Sequence, residues 1–237
     1  NYKEEKDMTD FRDKNVTIGA VVAALPTASG IFDEFGIDFC CGGHRKLSDI
    51  VLQQGIDADQ LYSKLEKARE ERVSEYQGND FTSMAPTSLS TYIEDTHHGY
   101  LRRVLPEVAE LLNTILRVHG RTHTELFEVY RLFGTLKADL EQHLLKEETM
   151  LFPIFADEDN NKEEIAKITV DIIGEHEAAG EILEKLREVT NNYQLPEDAC
   201  ATYARAYDML LEIEKDLHQH IHLENNILLK EYDNRKY

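Results

Sequence analysis

The sequence predicts an all-α protein in which a small N-terminal helical domain precedes an up-down-up-down four-helix bundle. After residue 88, four long segments repeat apolar residues at spacings of three and four, as amphipathic helices do. The connections between these segments are short, and short links between long helices favour antiparallel neighbours. No segment alternates polar and apolar residues with the period of a strand.

The four bundle helices are expected at about 89–118, 122–155, 161–189 and 196–232. The third shows the pattern most clearly, because its apolar residues fall along one side: Ile165, Ile168, Ile172, Ile173, Ala179 and Ile182. Such a stripe is what a helix in a bundle buries against its neighbours.

A domain boundary is expected within residues 76–88, which are rich in linker and turn residues and lack a helical apolar period. The predicted domains are a polar tail at 1–15, a small helical domain at 16–80 and the bundle at 88–237. The small domain should begin with a short helix at Val16, and Ser48 is expected to cap a later helix. A domain of this size has a thin core and needs further support.

Composition excludes several classes of partner. The formal net charge of -20 opposes binding to nucleic acid and to anionic membranes. No apolar run approaches the ~20 residues that span a bilayer, and the N-terminus lacks the apolar stretch of a secretory signal. Three cysteines are not a disulfide framework, so we expect a cytoplasmic protein that binds neither nucleic acid nor membrane.

Two bundle helices carry the same pair of metal-binding residue types. His143 and Glu147 lie on the second helix, and His220 and Glu224 on the fourth. Four residues of α-helix turn the chain by roughly 400°, so each pair leaves one face of its helix. A single pair of this kind is most often a surface contact. Here both pairs lie among apolar residues, and buried histidine and glutamate need each other or a metal ion.

The other two helices offer His98 and His176. The four histidines His98, His143, His176 and His220 are separated by 45, 33 and 44 positions. The separations are thus long, then short, then long. An up-down-up-down bundle produces this order when the four histidines lie in one layer that is nearer one end of the bundle than the other. The layer should therefore lie nearer the turn between the second and third helices.

Four imidazoles and two carboxylates fit two iron ions better than one. The predicted ligands are His98, His143, Glu147, His176, His220 and Glu224. Within this set, Glu147 and Glu224 are assigned as bridges between the ions. Zinc has an overlapping set of ligands and stays open as an alternative.

Neighbouring residues receive secondary roles. Glu148 is one step from Glu147 and should face away, whereas Glu175 and Glu181 are candidates for orienting His176. His97 points about 100° from His98, so at most one of them faces the ions. Exposed or hydrogen-bonded positions are expected for the remaining histidines and for His97: His44, His97, His119, His123, His218 and His222.

Cys40 and Cys41 lie on a turn that ends in Gly42 and Gly43. Adjacent cysteines form a disulfide only with strain, so a bond between them would be easily reduced. By composition alone they are two small apolar residues at a helix end. The functional interpretation is a redox pair or a transient metal-binding thiol site, which the glycines make accessible.

Taken together, these motifs resemble the Repair of Iron Centres family over nearly the whole chain after residue 15. The resemblance rests on Asp38-Phe39-Cys40-Cys41-Gly42-Gly43, on residues 143–153, on Glu175-His176-Glu-Ala-Ala-Gly180 and on residues 220–226. Aligning Leu105-Pro106-Glu107 with a similar tripeptide of the family selects His98 over His97. After Asn226 the chain departs from the family pattern, in a region that contains none of the six predicted ligands.

The resemblance implies a hemerythrin-like bundle that holds a μ-oxo and carboxylate-bridged pair of iron ions. It also implies repair of iron–sulfur clusters damaged by nitric oxide or oxidants, either by iron donation or by nitric oxide reduction. Partners would then be damaged iron–sulfur proteins and diatomic ligands such as nitric oxide or dioxygen. The alternative is a hemerythrin-like protein that binds or senses these gases. The sequence leaves open whether the protein is an enzyme and whether it forms a homodimer.

Overall fold

A computed structural model describes residues 9–75, 80–156 and 162–233. Helices account for nearly all the regular structure in these ranges. Contacts divide the chain into two compact units. One combines Asn1–Met84 with Ile221–Tyr237, and the other is Ala85–His220.

The described N-terminal residues of the first unit form α1 (Ile18–Ala24), α2 (Ala28–Glu34), α3 (Leu47–Gln54) and α4 (Ala58–Glu75). Thr17 caps α1 by accepting a hydrogen bond from the backbone amide of Ala20. Phe32, Leu61 and Leu65 are buried in its core. Phe11 is buried with them, so this core begins inside the segment predicted to be a polar tail.

One predicted cap is wrong. Helix α3 begins at Leu47, with Lys46 at the N-cap, two residues earlier than a helix capped by Ser48 would begin. The Ser48 hydroxyl donates instead to the Lys14 carbonyl at 3.3 Å. The sequence alone does not distinguish a serine at the cap from one in the first turn, since the hydroxyl can hydrogen-bond backbone groups from both positions.

In the described part of the second unit lie α5 (Pro86–Ile93), α6 (Gly99–His119), α7 (Glu125–Lys146), α8 (Phe152–Phe155), α9 (Lys162–Val189) and most of α10 (Ala201–Leu223). Helix α10 continues across the division between the units. One apolar core joins residues of α6, α7, α9 and α10, which confirms the four-helix architecture. The first predicted bundle helix corresponds to α5 and α6, and the second to α7 and α8.

The connection from α9 to α10 is held by a buried carboxylate. Asn191, Asn192 and Tyr193 all have φ near +50° to +60°, a left-handed conformation that asparagine adopts more readily than tyrosine. The Tyr193 hydroxyl donates to Glu214 Oε2 at 2.5 Å, and Arg187 donates to the other oxygen. Burial, followed by the nearby Glu214 carboxylate, raises the pKa of Tyr193 far above its usual value.

Among the described residues, no helix combines the length and the apolar character needed to cross a membrane.

Candidate metal centre

Within the described residues, three π-helical turns lie at predicted ligands. They span Glu94–His98, Glu147–Leu151 and Glu224–Leu228. A π turn adds a residue to the local helical turn, so it changes the direction of the side chains that follow, and it is frequent at functional sites. The first turn ends at His98, and the other two begin at a predicted bridging glutamate.

Two groups of buried side chains place potential ligand atoms within 4.8 Å of one another. One group comprises His98, Glu147, His220 and Glu224, and the other comprises His143, Glu147, His176 and Glu224. All six predicted ligands thus occur in these groups, and each residue is buried. The two carboxylates belong to both groups, whereas each histidine belongs to one.

The position of Glu147 explains how one carboxylate belongs to both groups. Its Oε2 atom lies 3.3 Å from His98 Nε2 and also 3.3 Å from His143 Nε2. The same His143 Nε2 atom also lies 3.2 Å from His176 Nε2. Imidazole nitrogens and carboxylate oxygens that converge in this way are the donor set of iron, manganese or zinc. The side chains present therefore fit a pair of such ions.

His98 is oriented by a residue that was expected to face away. Its Nδ1 donates to Glu148 Oε1 at 2.8 Å, which leaves Nε2 to face the group. Arg102 donates to the same carboxylate from α6. Burial acts to raise the pKa of Glu148, but the hydrogen bonds from Arg102 and His98 outweigh it and lower that pKa. The expectation assumed 100° per residue, whereas Glu147 and Glu148 open a π turn.

His143 is oriented in the same manner by Glu175. Its Nδ1 donates to Glu175 Oε2 at 2.8 Å, and Lys146 donates to the other oxygen. The hydrogen bond from His143, with a smaller contribution from Lys146, lowers the pKa of Glu175 to about 2. Glu175 thus orients a predicted ligand, as expected, but that ligand is His143 and not His176. Glu181 has no such role, because it is exposed and pairs with Lys185.

The remaining histidines of this region make other contacts. His97 donates from Nδ1 to Asp216 Oδ1 at 2.9 Å, and its ring stacks on that of His220 at 5.3 Å. His222 is buried, and its Nδ1 lies 3.2 Å from Asn226 Nδ2, so it is hydrogen-bonded, one of the two positions expected for it; burial lowers its pKa to about 4.

In the first unit, the double-cysteine turn is organised around Asp38. Its Oδ1 accepts from the Cys40 amide at 3.0 Å and its Oδ2 from the Gly42 amide at 2.8 Å. The Cys40 thiol is buried, and hydrogen bonding with Cys41, followed by burial, raises its pKa. Cys41 is partly exposed, so it is the more accessible of the two free thiols. A redox role for this pair stays a prediction.

Asn226 explains why glycines are needed beside this turn. Its Nδ2 donates to the carbonyls of Phe39 and Cys40 at 3.2 Å each. A Cβ atom on Gly43 would approach the Asn226 side chain to 2.4 Å, and one on Gly19 would approach it equally closely. These glycines therefore permit close packing, a role that differs from the predicted one of making the thiols accessible.

Comparison with known proteins agrees with this architecture. The model of the hemerythrin HHE cation binding domain matches residues 89–232, and a domain of unknown function, DUF542, matches residues 14–69.

Three similar proteins are each described as an iron-sulfur cluster repair protein. The iron-sulfur cluster repair protein ScdA of Staphylococcus epidermidis is 31% identical, over 92% of this chain and 97% of its own. The iron-sulfur cluster repair protein YtfE of Yersinia pseudotuberculosis is 33% identical, over 92% of this chain and 96% of its own. ScdA of Staphylococcus haemolyticus is 28% identical, over 91% and 96%. The resemblance inferred from the motifs is confirmed.

Proposed function

The chain belongs to the hemerythrin HHE family of cation-binding proteins, and from that premise we propose that it repairs damaged iron–sulfur clusters with a pair of iron ions. The proposed ligands are the six residues of the two groups, His98, His143, Glu147, His176, His220 and Glu224. The description of the relatives as iron-sulfur cluster repair proteins supports this function.

The observation that carries the proposal is the sharing of both carboxylates between the two groups. Glu147 presents one oxygen at equal distance from His98 and His143, which belong to different groups. A carboxylate placed in this way suits a bridge between two ions better than a ligand to one. We therefore assign His98 and His220 to one iron, His143 and His176 to the other, and Glu147 and Glu224 to both.

The protein fixes the tautomers of the two histidines beside Glu147. Because Glu148 and Glu175 accept from the Nδ1 atoms of His98 and His143, the Nε2 atoms are available to a metal ion. Carboxylates in this outer position raise the basicity of a ligating imidazole. Arg102 and Lys146 hold the two carboxylates from the outside and balance their charge.

When bound, a ferrous pair would supply two electrons and a place for small diatomic ligands. Reduction of nitric oxide then balances as two nitric oxide molecules, two electrons and two protons giving nitrous oxide and water. Iron donation to a damaged cluster is the second route. The buried ligands and apolar core keep bulk water away from the site in either case.

Reactivation of a nitric-oxide-damaged [4Fe–4S] enzyme by the iron-loaded full-length chain tests the proposal. Wild type should restore activity beyond an equal amount of free ferrous iron. His176→Ala should lose both this excess and the Mössbauer signature of a coupled iron pair. His218→Ala is the matched control, because His218 lies on α10 outside both groups. Reactivation no better than free iron would refute the proposed function.

Three assays distinguish nitric oxide reduction, iron donation and reversible gas binding. Nitrous oxide produced in proportion to nitric oxide consumed would support reduction, and transfer of labelled iron to the target enzyme would support donation. A stable, reversible dioxygen adduct without cluster reactivation would instead favour the gas-binding or sensing alternative.

A further inference from the structure

A second cluster of metal-binding residue types lies where the α6–α7 turn meets the connection before α10. His119 ends α6, and His123 lies just before α7. Asp198 and Cys200 immediately precede α10. We propose that these four side chains form a zinc site that is separate from the iron ligands.

The geometry of three of these side chains already suits a single ion. His119, His123 and Asp198 each offer one ligand atom within 4.8 Å of the others. His123 Nε2 lies 2.8 Å from Asp198 Oδ1, and His119 Nε2 lies 3.3 Å from Cys200 Sγ. In a tetrahedral zinc site, with bonds of 2.0–2.3 Å, ligand atoms lie about 3.3–3.7 Å apart. Small side-chain movements therefore suffice, with Cys200 joining the other three as the fourth ligand.

The set of donor atoms favours zinc over magnesium or calcium. Two imidazoles, one carboxylate and one thiolate include a soft ligand that hard cations do not select. Cys200 and Asp198 are exposed, so an ion can enter from solvent.

The surroundings of the two imidazoles resemble the outer contacts of a metal site. His123 Nδ1 lies 3.1 Å from Glu125 Oε1, a carboxylate contact that leaves Nε2 to face Asp198. Both imidazoles form T-shaped contacts with the buried Tyr203 ring, with centroids 5.4 Å away for His119 and 5.9 Å for His123. Tyr203 thus limits the orientations that the two ligands can adopt.

This cluster is distinct from the iron ligands. His119 follows His98 by 21 residues of nearly continuous helix, which corresponds to about 30 Å. An ion here would join the α6–α7 turn to the segment before α10. The contact of His123 with Asp198 already links these two segments, and its two residues are 75 positions apart in the sequence. Its effect would be to stabilise this end of the bundle.

Zinc uptake by the iron-loaded full-length protein tests the proposal. Equilibrium dialysis against Zn²⁺ alone, followed by metal analysis, should show about one zinc per chain beyond the iron. Asp198→Asn should weaken binding at least about tenfold. Glu197→Gln is the matched control, because it removes the same charge one residue away and should leave zinc binding unchanged. Equal uptake by the two variants, or no uptake by wild type, would overturn the proposal.

Cobalt substitution tests the thiolate independently of any change in folding. Iron-loaded wild type titrated with Co²⁺ should develop a thiolate-to-cobalt charge-transfer band. The band should disappear in Cys200→Ser and persist in Cys41→Ser, which removes the partly exposed thiol of the double-cysteine turn. The reverse result would place the metal at that turn and contradict the assignment of Cys200.

Discussion

The packing of Asn226 against Gly19 makes the replacement of that glycine by alanine a sharp test of the fold. A Cβ atom on Gly19 would lie 2.4 Å from Asn226 Oδ1 and 2.5 Å from its Cγ. Real Cβ atoms do not approach other atoms so closely, so Asn226 would have to move. Movement would also remove its hydrogen bonds to the carbonyls of Phe39 and Cys40.

The expected loss of stability combines three effects. Overpacking of this kind costs about 1–3 kcal/mol. Each lost hydrogen bond adds about 0.5–1.5 kcal/mol. Gly19 lies within α1, and alanine stabilises a helix by about 0.5–1 kcal/mol relative to glycine, which offsets part of the loss. Gly19→Ala should therefore destabilise the protein by about 2–4 kcal/mol, the middle of the range that these magnitudes span.

Gly30→Ala is the matched control. Gly30 lies in the neighbouring helix α2, and its added Cβ would meet nothing within 4 Å. This variant should be more stable than wild type by about 0.5–1 kcal/mol. The same substitution should therefore lower the free energy of unfolding in α1 and raise it in α2. Urea unfolding followed by far-ultraviolet circular dichroism measures both.

A double-mutant cycle identifies the cause of the loss. Removing most of the side chain with Asn226→Ala should reduce the further cost of Gly19→Ala by at least about 1 kcal/mol. Equal stabilities of Gly19→Ala and Gly30→Ala would contradict the packing, and an unchanged cost in the Asn226→Ala background would exclude Asn226 as its source.

Three further variants test separate parts of the bundle. Glu175→Gln removes the charged acceptor of His143, so iron should be lost about 10–100-fold more readily to a chelator, as measured by competition. Tyr193→Phe removes a hydrogen bond to the buried Glu214 and should cost about 1.5–3 kcal/mol in urea unfolding. The hydrogen bond from His123 to Asp198 raises the pKa of His123 in the folded protein. The protonated His123 therefore stabilises the fold fully below pH 6.5, and this stabilisation is lost as pH rises through the raised pKa. The difference in melting temperature between metal-free wild type and His123→Gln should therefore shrink above that pH.

The sequence predicted the bundle, and it predicted that six candidate ligand side chains would lie close together, because helical period and spacing determine which residues share a face and a level. It did not predict the contact between Glu148 and His98, since a π turn alters the 100° rule and no residue type in Glu147–Leu151 signals one. It also assigned Glu175 to the wrong histidine. Contacts between helices depend on how neighbouring helices are rotated, which the period of a single helix does not determine.

Burial of both shared carboxylates gives metal removal a predictable effect. Glu147 and Glu224 are wholly buried, and a buried carboxylate is costly unless cations compensate it. Iron should therefore stabilise the protein, by about 2.7 kcal/mol when free iron is a hundredfold above its dissociation constant. Glu147→Gln should abolish the coupled iron pair yet raise the melting temperature of the metal-free protein, because it removes a buried charge. Calorimetry of both proteins with and without iron measures these shifts. A lower melting temperature of metal-free Glu147→Gln than of metal-free wild type would show that the imidazoles 3.3 Å from Glu147 already compensate its charge.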